Sequence, residues 1–266
     1  HGELIALAPG LPDGYRDLVP PDEAAADALH MLRLGPSTPL LGDFYRSEGD
    51  DADALRLRLY HFDEPLSLSR RVPILENMGF SAVAERSFEV RRPDETTVWL
   101  HDMELVHRTG GAIALGDGGA MLEATFAAVT DGRIENDSFN ALVFAAGLDW
   151  RMANVLRAYA RYLRQTGFSY ADSFIAQVLE RQPAAARDLA ELFAESFDPT
   201  RERQPDALPD ELGGDAVDAL LDVEDDRAVG LDEGQGELRV VLVGLHAVRQ
   251  ADGDEGLRAA AGAGLL

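Results

Sequence analysis

Chemistry at neutral pH draws on a short list of side chains, and this chain is missing two of them. It has no cysteine, which excludes disulfides, thiolate nucleophiles and cysteine-held metal or iron–sulfur centres. All 24 basic residues are arginine. Without a lysine there is no Schiff base, no Walker-type phosphate lysine and no catalytic amine. The six histidines, His1, His30, His61, His101, His107 and His246, form no H-E-x-x-H pair. His101-Asp102 and His107 fall on a strand and its end, where a hydrogen-bonded histidine is expected rather than a metal ligand. Gly116-Asp117-Gly118-Gly119 is the nearest approach to a dinucleotide loop. It lacks the third spaced glycine and carries a carboxylate where phosphate would sit, so it reads as a surface loop. No G-x-S-x-G elbow is present. Asp50-Asp51 and Asp225-Asp226 read as solvated runs. Arg157, Arg161 and Arg164 form a stripe expected to be solvated or to meet acidic neighbours. On this reading there are no catalytic, cofactor-binding or metal-ligating residues to assign.

Composition narrows the partners. The chain of 266 residues carries 24 basic and 48 acidic residues, a formal charge of −24. Such a surface repels nucleic-acid backbones and anionic lipid. No apolar run approaches the roughly 18 residues of a membrane span. The first residue is His1, and no basic segment leads into an apolar run, so the sequence reads as a piece without a signal peptide.

The elements that must position these residues alternate in the first half. An Ala-rich helix is expected over Glu23 to Leu32. Leu55, Leu57 and Leu59 alternate with Arg56, Arg58 and Tyr60, as in a half-buried strand. A helix capped by Ser67 or Ser69 buries Val72, Leu75 and Met78, carries Pro73 in its first turn and stops at Gly79. Strands at Phe88–Val90 and Val98–Leu100 flank a turn at Pro93-Asp94-Glu95. A helix through Met121, Leu122, Phe126 and Val129 follows. From about 53 to 131 the order is β-α-β-β-α, most of a ferredoxin-like split βαβ unit. Beyond 136 the signal is helical. One helix runs from Asn136 or Asp137 to Ala146. A second is capped by Asp149, buries Met152, Val155, Leu156, Tyr159 and Leu163, and ends at Gly167. A third starts at Asp172 or Ser173, and a fourth starts at Pro183 and turns Leu189, Leu192, Phe193 and Phe197 inward. Residues 201–266 are acidic, then Gly/Ala-rich, with one helix near Ala216–Val223 and weak periodicity elsewhere.

Two blocks carry more than pattern. The first is Pro65-Leu-Ser-Leu-Ser69, Pro73-Ile-Leu-Glu-Asn-Met-Gly-Phe80, Glu85-Arg86 and Val98-Trp-Leu-His-Asp102. The second is Glu135-Asn-Asp-Ser-Phe-Asn140, Ala146-Gly-Leu-Asp-Trp-Arg151, Leu156-Arg-Ala-Tyr-Ala-Arg-Tyr-Leu-Arg-Gln-Thr-Gly167 and Leu192-Phe193 to Phe197-Asp-Pro199. Together they closely resemble the large bacterial type of NAD-dependent glutamate dehydrogenase, over about residues 12 to 200. The resemblance implies an α+β, ACT-like domain followed by an all-helical domain, both preceding the catalytic part. No catalytic or NAD-binding residue of that family has a counterpart here.

The expected organisation is a linking region over 1–52, an ACT-like domain over 53–132, a helical domain over 133–200 and an acidic tail over 201–266. After about Arg227 the text departs from the family, which suggests a truncated or frame-shifted reading. The resemblance further implies a cytoplasmic enzyme of amino-acid catabolism that converts L-glutamate, NAD and water to 2-oxoglutarate, ammonia and NADH. This chain would be its non-catalytic regulatory or structural segment, with NAD bound elsewhere in the parent enzyme. Its implied partners are the remainder of the dehydrogenase, further copies in a homo-oligomer and an amino-acid effector contacting the loop Asp63 to Ser69. An independent effector-binding module and an oligomerisation scaffold are the alternative readings.

Overall fold

The computed structural model describes residues 2–47, 49–110, 113, 115–116, 118–165 and 170–197. The chain divides into two compact units, residues 1–136 and 137–266. The tail over 201–266, Gly167 and the Phe197 side chain lie outside the described residues.

The first unit is α+β. Helices α1 (Gly2–Leu7), α2 (Asp13–Leu18) and α3 (Pro21–Arg33) precede strand β1 (Leu40–Tyr45). Then come β2 (Ala54–Phe62), α4 (Leu68–Asn77), β3 (Phe80–Arg91), β4 (Thr97–His107) and α5 (Gly118–Thr130). The four strands make one antiparallel sheet in the order β1-β2-β4-β3. The β-α-β-β-α order expected from residue 53 is therefore present. Strand β1 was not expected, and it extends the sheet N-terminal to residue 53. In a βαββαβ unit the strand after the second helix lies beside the first strand. Here β1, arriving from before, takes that place, so the topology is circularly permuted.

Alternation sends the two faces of the sheet to different partners. Leu55, Leu57 and Leu59 are fully buried on the face that carries α4 and α5, with Leu75, Leu122 and Phe126. Helix α5 lies close on β1: a Cβ at Gly119 would stand 3.2 Å from the Phe44 carbonyl oxygen. The last glycine of Gly116-Asp117-Gly118-Gly119, a segment expected to be a surface loop, thus lies in α5 and lets that helix approach a strand. The Phe44 amide donates to Glu123 of α5 at 3.3 Å, which blunts the open edge of β1. On the opposite face Tyr60, Val90, Val98 and Leu100 form a second core with Leu7, Tyr15, Ala28 and Met31 of α1–α3.

Local expectations fare unevenly. Gly79 follows α4 with φ 93°, as a helix stop requires. Ser67 stands at the N-cap but its hydroxyl bonds the Ser69 hydroxyl (3.0 Å) instead of the backbone. Pro73 is the sixth residue of α4, a turn deeper than expected, and Val72 is only half-buried while Ile74 takes its place in the core. Strand β3 starts at Phe80, well before Ser87. Its first half exposes both faces and is bulged between Ala82 and Ala84, which erases the alternating signal.

The second unit is helical in its described part. A 3-10 turn (Ser138–Ala141) leads into α6 (Leu142–Ala145), then α7 (Trp150–Gln165), α8 (Asp172–Arg181) and α9 (Pro183–Phe197). The expected caps are formed. Asp137 accepts the Phe139 amide at 3.1 Å, and Asp149 accepts those of Arg151 (2.8 Å) and Met152 (2.9 Å). Val155, Leu156 and Leu163 of α7 and Ile175, Val178 and Leu179 of α8 are buried, as their spacing demands. Among the described side chains of α9, Ala186 and Ala190 are buried, with Leu189, Leu192 and Phe193 half-buried.

Candidate functional site

Three polar clusters stand out, and sequence reading anticipated none of them as a unit. The first lies between α3 and the sheet. Asp27 is 1% exposed. One of its carboxylate oxygens accepts from Arg58 Nη1 (2.8 Å) and the Tyr60 hydroxyl (2.7 Å), and the other from the Tyr15 hydroxyl (2.5 Å). Arg58 Nη2 reaches Glu23 one turn earlier, at 2.5 Å. Burial opposes the Arg58 charge, but Asp27, Tyr45 and Glu23 outweigh it and hold the guanidinium protonated. Burial, reinforced by Asp27, pushes the Tyr15 and Tyr60 hydroxyls up, so both remain donors.

The same sheet face continues as a charged row. Asp43, Arg58, Asp102 and Arg86 are Cα partners across β1, β2, β4 and β3 in turn. The next row includes Tyr45, Arg56 and Glu104. Helices α1–α3 cover the apolar end of the face. The charged end remains open as a cleft of about 220 Å³ between Val19–Glu23 and the strands. The Tyr45 hydroxyl donates to Asp102 at 3.0 Å, and its ring lies 4.7 Å from the Arg58 guanidinium. Arg56 binds Asp50 through two nitrogens (3.1 and 2.9 Å) and holds that carboxyl below the usual carboxylate range. Asp50, expected in a solvated run, thus has a side chain only 8% exposed, because a bidentate guanidinium replaces its water.

The second cluster lies on the other face, beneath the β2–α4 connection. His61 and His101 meet edge-on with ring centroids 5.4 Å apart. His101 Nδ1 lies 2.8 Å from the Ser87 hydroxyl and 3.1 Å from Glu85. Arg71 of α4 pairs with the same Glu85 oxygen and donates to the Leu66 carbonyl at 2.9 Å. Four buried polar atoms here have no partner: His61 Nε2, His101 Nε2, Arg71 Nε and Glu85 Oε2. Burial pulls His61 down to about 3, with His101 and Arg71 adding to the shift. Burial and Arg71 pull His101 down to about 4 against the counter-pull of Glu85. The strand histidine at 101 is hydrogen-bonded, as expected. His107 likewise has a partner, 3.0 Å away at the Gly110 carbonyl. The loop Asp63–Ser69 roofs this cluster. It is held by the Asp63 amide to the Thr97 carbonyl (2.9 Å) and by Trp99 Nε1 to the Asp63 carbonyl (3.1 Å).

The third cluster shows the arginine stripe meeting acidic neighbours, with Arg157 buried rather than on a surface face. Arg157 is 2% exposed. Its Nε and Nη2 grip the Asp137 carboxylate at 2.7 and 2.8 Å. Nη2 also reaches Asn140 Oδ1 (2.8 Å), and Nη1 reaches Asn154 Oδ1 (2.6 Å). Its helix neighbours on that side, Ala153 and Ala160, are small and buried, which leaves room for the guanidinium. Arg161 and Arg164 do sit toward solvent, where both lie near Asp172 (4.0 and 3.3 Å).

Chemically these are holding clusters. Their acids and bases are tied to one another, and the unpartnered atoms are buried. No group of three or more histidine, aspartate or glutamate side chains that could hold a metal ion occurs among the described residues. No helix among them is long and apolar enough to cross a membrane.

The sheet with helix α4, and the helix cluster that follows α5, are each matched by a family model. Residues 39–117 match the ACT3 domain of glutamate dehydrogenase, and residues 134–199 match its helical motif 3. The first match opens one residue before β1, so the permuted strand lies within the ACT3 region. These two modules define the class: an ACT domain joined to a helical motif. The NAD-specific glutamate dehydrogenase of Pseudomonas aeruginosa is 35% identical over 207 residues, covering 78% of this chain and 13% of that protein. That of Halomonas elongata is 36% identical over 189 residues, 71% of this chain and 12% of that protein. That of Mycobacterium tuberculosis is 35% identical over 240 residues, 85% of this chain and 14% of that protein. The chain belongs to the NAD-specific glutamate dehydrogenase family, and it spans about one eighth of the length of these relatives.

Proposed function

We propose that this chain is a non-catalytic regulatory or structural segment of a cytoplasmic NAD-specific glutamate dehydrogenase. The dehydrogenation of L-glutamate to 2-oxoglutarate and ammonia, with reduction of NAD, belongs on this reading to residues elsewhere in the enzyme. The observation that carries it is the succession of an ACT3 domain and a helical motif 3 in one chain. The lack of lysine and of a G-x-G-x-x-G fingerprint agrees with it. The test is direct: the purified chain, given L-glutamate and NAD, forms no NADH. Sustained glutamate-dependent NADH formation overturns the reading. A homo-oligomeric role predicts self-association in light scattering, and a strict monomer removes it.

A second reading places an amino-acid effector at the loop Asp63–Ser69. The four unpartnered polar atoms beneath that loop favour it, because buried polar groups are normally satisfied by protein, water or ligand. Calorimetry with an amino-acid panel tests it, and no heat from any member counts against it.

A further inference from the structure

Helix α3 is apolar on both of its sides. Ala28 and Met31 face inward, in the core shared with Tyr60 and Leu100. The outer side of such a surface helix is ordinarily charged. Here Ala25, Ala26 and Leu29 are exposed, Leu29 by 54%. An open depression of about 550 Å³ lies along them, lined by Ala26, Leu29, His30, Leu32 and Arg33. A helix that is apolar all round is normally covered.

Charge and spacing select what covers this one. Asp22, Ala26, Leu29 and Arg33 follow one another at intervals of four, three and four residues, the spacing of a two-helix seam. Read backwards along an antiparallel partner, the stripe is its own complement. About a twofold axis between Ala26 and Leu29, Ala26 faces the partner's Leu29 and Asp22 faces the partner's Arg33, and each contact is made twice. A parallel pairing would set aspartate on aspartate and arginine on arginine. Both end charges are uncommitted: among the described residues neither Asp22 nor Arg33 makes an ion pair within 4.0 Å. The arginines of the neighbouring sheet face are tied up, Arg58 with Glu23 and Asp27, and Arg56 with Asp50 and Glu104. The small Ala26 leaves the space that a leucine fills.

We propose that two copies of this chain associate through the outer faces of α3, packed antiparallel, with Leu29 of each in the depression beside the other's Ala26. This rests on the homo-oligomeric reading above and deepens it by naming the surface, which precedes the ACT3 match. One pair of 13-residue helices belongs with the weak interfaces below about 1,200 Å². Such a contact suffices in a longer parent whose copies also meet elsewhere, because linked contacts reinforce one another.

The experiment is sedimentation of the full chain over a hundredfold range of concentration, alone and as Asp22→Arg or Arg33→Asp. The parent is expected to pass from monomer to dimer. Each variant by itself opposes like charges at both ends of the seam and dimerises at least tenfold more weakly. Mixed in equal amounts, the two variants regain both attractive pairs and return to within threefold of the parent. A folding defect would persist in the mixture, so recovery reports the interface. Leu29→Asp, at an exposed position, abolishes the dimer. A parent that stays monomeric throughout overturns both the proposal and the homo-oligomeric reading, and leaves the stripe to another part of the parent enzyme. Single variants within twofold of the parent, or variants that do not recover on mixing, overturn this surface alone and leave that reading standing. None of these results alters the NADH assay.

Discussion

The two units each bury an arginine, and they wire it differently. In the sheet unit Arg58 sits on β2 and is caught by Asp27 and Glu23 of α3, 31 and 35 residues away. The clamp also draws in Tyr15 and Tyr60, so one carboxylate serves two hydroxyls and a guanidinium. In the helical unit Arg157 takes its partners from 20, 17 and 3 residues away, and the Asp137 side chain retains 30% exposure. A buried ion pair adds little by itself, since desolvation offsets attraction, but breaking one strands a charge. The difference is therefore in what is stranded. Loss of Asp27 leaves three buried groups short of an acceptor. Loss of Arg157 takes one donor from the buried Asn140 Oδ1 and leaves a carboxylate that water can reach.

That contrast can be broken by mutation. Asp27→Ala is expected to destabilise the sheet unit by about 3–5 kcal/mol. Arg157→Met should cost the helical unit about 1–3 kcal/mol, the range for unsatisfied buried acceptors. Urea denaturation separates the two, because each unit carries one tryptophan, Trp99 and Trp150. Equal losses, or a larger one for Arg157→Met, would dissolve the distinction.

Acid sharpens it further. His61 and His101 are held at about 3 and about 4 in the folded sheet unit, against about 6.5 unfolded. Between those values the unfolded chain binds more protons, so stability rises with pH. The contribution is complete above about 6.5 and is lost as pH falls toward 4 and then 3. Each histidine adds a slope of up to about 1.4 kcal/mol per pH unit. The described helical unit contains no histidine. Acidification from pH 7 to 5 should therefore weaken the Trp99-reported transition more than the Trp150-reported one, and His101→Gln should flatten the former. The smallest effect is a cap: Asp149→Ala should cost about 1 kcal/mol, felt by Trp150 alone.

What the sequence disclosed follows from range. Leu55, Leu57 and Leu59 show a buried strand face, and Gly79, Asp137 and Asp149 mark helix ends through local backbone chemistry. Strand β1 escaped notice because Leu40-Leu41-Gly42-Asp43-Phe44-Tyr45 is half-buried on both sides and shows no alternation. The clusters escaped because their members are distant in the chain, and nothing local ties Asp27 to Arg58 or His61 to His101. One signal was available: Arg56 and Arg58 on one strand, with Asp102 and Glu104 on another, share the polar parity of their strands. Matching parities of opposite charge point to a charged sheet face. Arg157 offered a similar hint, since Ala153 and Ala160 flank it with side chains too small to fill a core position.

The permuted strand has a consequence for synthesis. Every described strand of the sheet lies within residues 40–107, so the ladder hydrogen bonds among them have their partners once His107 has left the ribosome. A unit closed by its last strand would wait, edge open, until the chain beyond α5 emerged. The described strands need only α5 to cover them, and translation can continue behind a four-stranded ladder whose described partners are all present.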